Sequence, residues 1–152
     1  CTHAALASLR ARRGGIVAIS SVAGFAPLIA RTGYSASKHA LHGFFDSLRS
    51  ELEPDGVSVT IACPSFVDTG IDRHALGGDG APVRHARRLV GAPARAGDVA
   101  EAVFRAQRAR RPLALIGRTA RLAWWVSRLA PARYARIMAD RLRGEMSGGP
   151  PA

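Results

Sequence analysis

The chain has 152 residues, 47% of them hydrophobic and 22% charged, with a formal net charge of +11 at pH 7. That length is one domain able to bury roughly 70% of its unfolded surface, and the balance of apolar to charged residues is that of a globular chain, not a disordered one. No apolar run approaches the roughly 20 residues of a membrane-spanning helix, and two cysteines, Cys1 and Cys63, are too few for a disulfide framework and lack metal-ligand spacing.

The first element in chain order is a helix already under way in Thr2 to Arg13, with Ala5, Leu6 and Leu9 on one face. Position 1 is Cys, and nothing reads as a signal peptide, so the chain is expected to be a piece of something longer. After Gly14 and Gly15, the run Ile16 to Ile19 is continuously apolar, as a parallel strand covered on both faces requires, and it ends at Ser20 and Ser21. From Tyr34, the residues Leu41, Phe44, Phe45, Leu48 and Leu52 recur at helical spacing until Pro54 and Gly56.

A second strand is predicted over Val57 to Cys63, closed by Pro64. Residues 65 to 95 are too long for a plain connection and read as a functional loop or lid. Its apolar Phe66, Val67, Ile71 and Leu76 point to a hydrophobic substrate, and Asp68 and Asp72 sit where they can shape its entry. Asp98 is placed to cap a helix carrying Val99, Ala102, Val103 and Ala106, and after Pro112 a third apolar run spans Leu113 to Ile116. The order is β-α-β-α-β, a parallel α/β arrangement.

From Gly117 to Arg143 the chain is a basic amphipathic tail. Leu122, Trp125, Val126 and Leu129 share one helical face, and Tyr134, Ile137, Met138 and Leu142 another. Such a tail can lie on an anionic membrane surface, or cover the body of the protein or a neighbouring subunit. Residues 144 to 152 read as a flexible terminus.

Lys38 is the one lysine among 22 basic side chains, four residues after Tyr34 and so on the same helical face one turn on. Ser21 ends the first strand, where parallel sheets bind their ligands. A phenol has a pKa near 10, and a neighbouring ammonium that stabilises the phenolate brings it into range for proton exchange. A compact ammonium can do this while hydrogen-bonding a sugar hydroxyl, whereas a planar guanidinium presents a rigid fork. His39 and His42 are three apart, but with no carboxylate or cysteine at ligand spacing they read as surface or packing residues, and no metal site is expected.

The segments "IVAISSVAG", "YSASKHAL", "FFDSLRSELEPDGVSVTIACPSFVDT" and "GDVAEAV" together resemble the second half of a short-chain dehydrogenase/reductase over residues 1 to 117, with "HALHGFFDSLRSEL" most similar to the hydroxysteroid dehydrogenase branch. The resemblance implies the C-terminal half of a Rossmann-like, doubly wound parallel sheet of about three strands with flanking helices, followed by the helical tail. It makes Tyr34 the general acid/base, Lys38 the residue that lowers its pKa and binds the nicotinamide ribose, and Ser21 the residue that orients the substrate oxygen. Pro64 and Thr69 match the family's cofactor-contacting Pro-Gly-x-x-x-Thr segment, and Ser65 stands at its glycine. The family's glycine-rich phosphate loop has no counterpart here, and the chain contains no asparagine to match the catalytic one.

Two functions are carried forward. The first is an oxidoreductase that transfers hydride between NAD(P), with NADP taken ahead of NAD, and a hydrophobic carbonyl/alcohol substrate. On this reading the protein is cytoplasmic or peripheral to a membrane, homo-oligomeric when complete, and without nucleic acid as a partner. This chain alone, as an N-terminally truncated piece, is then expected to be inactive, poorly stable and unable to bind a dinucleotide tightly. The second is a non-catalytic binding or scaffold fragment that docks to a membrane surface or partner through the basic tail.

Overall fold

The computed structural model describes residues 1–29, 31–71, 80–81 and 91–146, with side-chain surroundings as far as Arg141. Asp72, His74, Leu76 and His85, together with residues 147–152, lie outside the described residues.

Helix α1 (Thr2–Ala11) leads through Arg13, whose φ of 46° turns the backbone left-handed, into strand β1 (Gly15–Ile19). The Gly14 amide closes the helix end on the Leu9 carbonyl at 2.9 Å. A short 3₁₀ turn at Val22–Gly24 precedes helix α2 (Thr32–Leu52), which begins two residues before Tyr34. Gly56, at φ 69°, makes the turn into strand β2 (Ser58–Pro64). Two two-residue strands follow, β3 (Val67–Asp68) and β4 (Ala94–Arg95), then helix α3 (Ala96–Arg108), strand β5 (Leu113–Ile116), helix α4 (Arg118–Leu129) and helix α5 (Pro131–Met146).

The main sheet is parallel, in the order β1-β2-β5, with Ile19 beside Ala62 and Cys63 beside Leu115. Side chains alternate across it. Ala18, Ile61, Cys63, Leu113 and Leu115 pack with Phe45 of α2 on one face. Val17, Ala62, Ala114 and Ile116 pack with Val103 and Ala106 of α3 on the other. Both faces are covered, so β1 from Ile16 and β5 read as unbroken apolar runs, while β2 carries Ser58 and Thr60 among its apolar residues. The alanines at 62, 106 and 114 bring α3 close to the sheet. Leu6 and Leu9 of α1 join Leu48, Leu52 and Val57 below the α2 face, while Ala5 stays exposed.

Polar side chains fasten the layers. Thr60, fully buried, donates to Gln107 Oε1 at 3.0 Å, and Gln107 Nε2 donates to Ser58 Oγ at 3.2 Å. Arg49 donates from Nε to the Val59 carbonyl and from a terminal nitrogen to the Pro112 carbonyl, both at 2.9 Å, and a third nitrogen meets Asp46 Oδ1 at 2.6 Å. Arg110 donates to the carbonyls of Gly56 and Arg13 at 2.8 and 3.2 Å. These two guanidinium forks satisfy carbonyls at the strand entrances, so part of the arginine content is structural.

Two expectations are revised, and two further features stand beside them. Asp98 is not the cap of α3: Arg95 holds that position, and Asp98 lies in the first turn, where its charge still favours the helix N-terminus. The tail is two helices broken at Ala130–Pro131, and α5 continues through Met146, three residues beyond Arg143. On α4 the buried residues are Ala120 and Ala123, whereas Leu122, Trp125 and Leu129 face outwards. β1 is an edge strand among the described residues, and Ile19 is 53% exposed.

Candidate active site

The carboxyl ends of β1 and β2 open into a cavity of about 860 Å³. Ser21, Tyr34, Lys38, Pro64 and Thr69 all line it, and so does Ser65. Each arrives by a separate route. Ser21 follows β1 and caps the 3₁₀ turn, its Oγ accepting from the Ala23 amide at 3.2 Å. Tyr34 and Lys38 come from the first two turns of α2. Pro64 is the last residue of β2, and Thr69 follows β3.

Lys38 Nζ donates to the Ile19 carbonyl at 3.1 Å and lies 5.7 Å from the centroid of the Tyr34 ring. Successive residues of β1 present their main chain to opposite sides, and the Ser20 amide points to β2, where it meets the Ala62 carbonyl at 2.8 Å. The Ile19 carbonyl therefore faces the open edge, and the ammonium caps it. Tyr34 is 45% exposed, its ring on the cavity wall.

Behind this wall lies a group that the sequence alone did not bring together. His42 Nε2 is 3.1 Å from Ser20 Oγ and 3.6 Å from Cys63 Sγ. Burial is the main cause that lowers the His42 pKa, against a smaller opposing pull from Asp46, so the ring is neutral near pH 7. Burial likewise pushes the Cys63 thiol up to about 12. His42 is thus a packing residue, as read, but one that supports the floor of the site. His39 is exposed, with Nδ1 2.9 Å from the Ser35 carbonyl. Gly24 is required here, because a Cβ on it would fall on Ser20 Oγ and lie 2.7 Å from His42 Nε2.

The far wall is supplied by the C-terminal helices. Ala123, Tyr134 and Met138 are buried against Ala26, with Val22, Leu28 and Val126 packed around them, and these residues line the cavity. Burial raises the Tyr134 pKa. The i, i+4 spacing of Tyr134 and Met138 was visible as an apolar face in the sequence, but its target was not. Phe66, Val67 and Ile71 also line the cavity, as does Asp68.

The short chain dehydrogenase family profile matches residues 1–77, and the chain belongs to that family. It is 38% identical over 142 residues to the dehydrogenase/reductase SDR family protein 7-like of Anopheles gambiae, covering 92% of this chain and 45% of that one. It is 36% identical over 146 residues to dehydrogenase/reductase SDR family member 7B of Mus musculus, covering 95% and 45%. The chain therefore spans about half the length of the curated relatives it matches. In fold it is similar to a short chain dehydrogenase from Burkholderia cenocepacia J2315 solved in complex with NADP, with a TM-score of 0.74 at 19% identity over 90% of this chain and 52% of that one. A short-chain dehydrogenase from Streptomyces avermitilis gives a TM-score of 0.66 at 24% identity, over 98% and 57%. The doubly covered parallel sheet is the fold these structures share.

Proposed function

We propose that these residues form the catalytic half of an NAD(P)-dependent oxidoreductase, acting on a carbonyl/alcohol pair carried by a largely apolar small molecule. The observation that carries the proposal is that Ser21, Tyr34, Lys38, Pro64 and Thr69 line one cavity at the carboxyl end of a parallel sheet, in a chain of this family.

The residues present fit the nicotinamide-ribose end of a dinucleotide. Beyond its bond to the Ile19 carbonyl, Lys38 keeps two N–H donors for sugar hydroxyls. When bound, the nicotinamide supplies hydride chemistry. In the reductive direction the Tyr34 hydroxyl gives its proton to the oxygen of the substrate as that oxygen gains charge, and the nearby ammonium stabilises the phenolate left behind. Ser21 Oγ donates a hydrogen bond to the same oxygen and holds it. Val22, Leu28, Val126 and Met138 provide the apolar wall that favours a hydrophobic substrate and excludes water.

NADP is taken ahead of NAD, with the Burkholderia cenocepacia protein solved with NADP as support. The test uses the complete protein that carries these residues. Oxidation of NADPH and NADH is followed at 340 nm (roughly the reduced-nicotinamide absorption band) with aldehydes and ketones of increasing apolar size, in the native protein and in Tyr34→Phe. Turnover with NADPH, lost in the variant by about 10²- to 10⁴-fold with the cofactor still bound, is the expected result. Undiminished turnover in Tyr34→Phe removes the acid/base role.

A further inference from the structure

Trp124 and Trp125 are neighbours with opposite surroundings. Trp124 packs edge-on against Phe25 at 4.9 Å, and the Arg128 guanidinium lies 3.6 Å from its ring centroid. Trp125 is 61% exposed. Leu122 and Leu129, three residues before it and four after, are 67% and 78% exposed. The three form a stripe on the outer side of α4, at the spacing that ordinarily buries a helix against its own protein.

On α4 itself the charge has one sign. Arg118, Arg121 and Arg128 are exposed on the same helix, and α4 contains no acidic residue. The patch also runs to the mouth of the cavity, because Leu122 and the 41%-exposed Ile137 belong to its lining. Scattered exposed leucines need no explanation, but a continuous apolar stripe with a tryptophan and a cationic border does.

Two occupants compete for it. A second copy of this chain, related by two-fold symmetry, would bring the arginines of one α4 against those of the other, in a molecule already at +11. An anionic surface meets the same arginines with opposite charge. We propose that the α4 face docks on an anionic lipid bilayer. Leu122, Trp125 and Leu129 lodge at the boundary between headgroups and acyl chains, and Arg118, Arg121 and Arg128 lie against the lipid phosphates. At 12 residues α4 is too short to cross a bilayer, so it lies on the surface. Docking this way sets the cavity mouth at the membrane, and the proposal stands whatever reaction the cavity performs.

The test is co-sedimentation of the complete protein that carries these residues with vesicles of phosphatidylcholine alone and of phosphatidylcholine mixed with phosphatidylserine. Tryptophan emission is recorded in parallel. The expected result is binding to the mixed vesicles only, reversed by salt, with a blue shift in emission that Trp125→Ser abolishes. Arg118→Gln/Arg121→Gln should weaken binding roughly 30-fold, at about fivefold per charge. Leu122→Ser/Leu129→Ser should weaken it at least about tenfold while leaving the circular dichroism spectrum unchanged, since both side chains are outside the core. Equal binding to neutral vesicles, or undiminished binding by both double variants, overturns the proposal. So does a salt-insensitive dimer that forms without lipid and that Leu122→Ser/Leu129→Ser disrupts, which assigns the stripe to a second copy.

Discussion

The Lys38 ammonium is tied to the Ile19 carbonyl by a 3.1 Å hydrogen bond, so the chain's one lysine is anchored to the last residue of the edge strand of its sheet. That bond fixes the amine beside the Tyr34 ring. It also explains why arginine does not replace it: the guanidinium is longer and planar, and its head would pass the carbonyl.

Lys38→Met in the complete protein is expected to lower kcat by about 10²-fold or more and to raise the KM for the nicotinamide cofactor, because proton transfer and sugar binding lose the same group. Lys38→Arg should restore the charge but not the activity. Steady-state kinetics of both variants checks this, and full activity in Lys38→Arg would remove the geometric argument.

The neutral His42 makes stability pH-dependent. Its pKa in the folded chain lies below the ordinary 6.5, so between those two values the unfolded chain binds more protons than the folded one. Stability should therefore fall as pH drops through and below about 6.5, and be fully regained above it. Urea midpoints measured across that range for the native chain and for His42→Gln should show a slope in the first that is reduced in the second.

Cys63 is fully buried, and its thiol is pushed up to about 12. Below pH 9 it should remain a thiol and resist iodoacetamide, whereas the exposed Cys1 reacts. Mass spectrometry after brief labelling is expected to find one modified cysteine in the folded chain and two in urea. Raising the pH above about 9 should destabilise the fold, because the unfolded chain then loses a proton that the folded chain keeps.

Gln107 bridges Thr60 and Ser58 from α3. Gln107→Ala leaves the fully buried Thr60 hydroxyl without its acceptor and is expected to cost about 1–3 kcal/mol, read from urea unfolding. Thr60→Val in the same background should recover part of that loss, since no buried hydroxyl then remains to satisfy.

The main sheet and α2 were legible in the sequence because their signals are local. Ile16 to Ile19 and Leu113 to Ile116 are apolar without interruption, Val57 to Cys63 is apolar apart from Ser58 and Thr60, and Leu48 and Leu52 recur at helical spacing. Tyr34, Lys38, Ser21, Pro64 and Thr69 stood out through a motif, but their common cavity depends on chain paths that no spacing encodes. β3 and β4 were invisible, since two residues of strand carry no periodicity. The orientation of α4, which the sequence left open, follows from side-chain size: Ala120 and Ala123 are small enough to let the helix lie close to Ala26 and its neighbours, so the helix buries its short side chains and leaves Leu122, Trp125 and Leu129 outside. The His42, Ser20 and Cys63 group joins three separate elements and left no pattern in any one of them.

The exposed rim of β1 leaves a signature in deuterium uptake. The amides of Ile16, Ala18 and Ser20 point into the sheet, and those of Gly15, Val17 and Ile19 point out of it. Protons along this strand should thus exchange in a fast-slow alternation of period two. If another strand settles against that rim, the fast set slows to match the rest, and the alternation becomes a residue-by-residue gauge of docking.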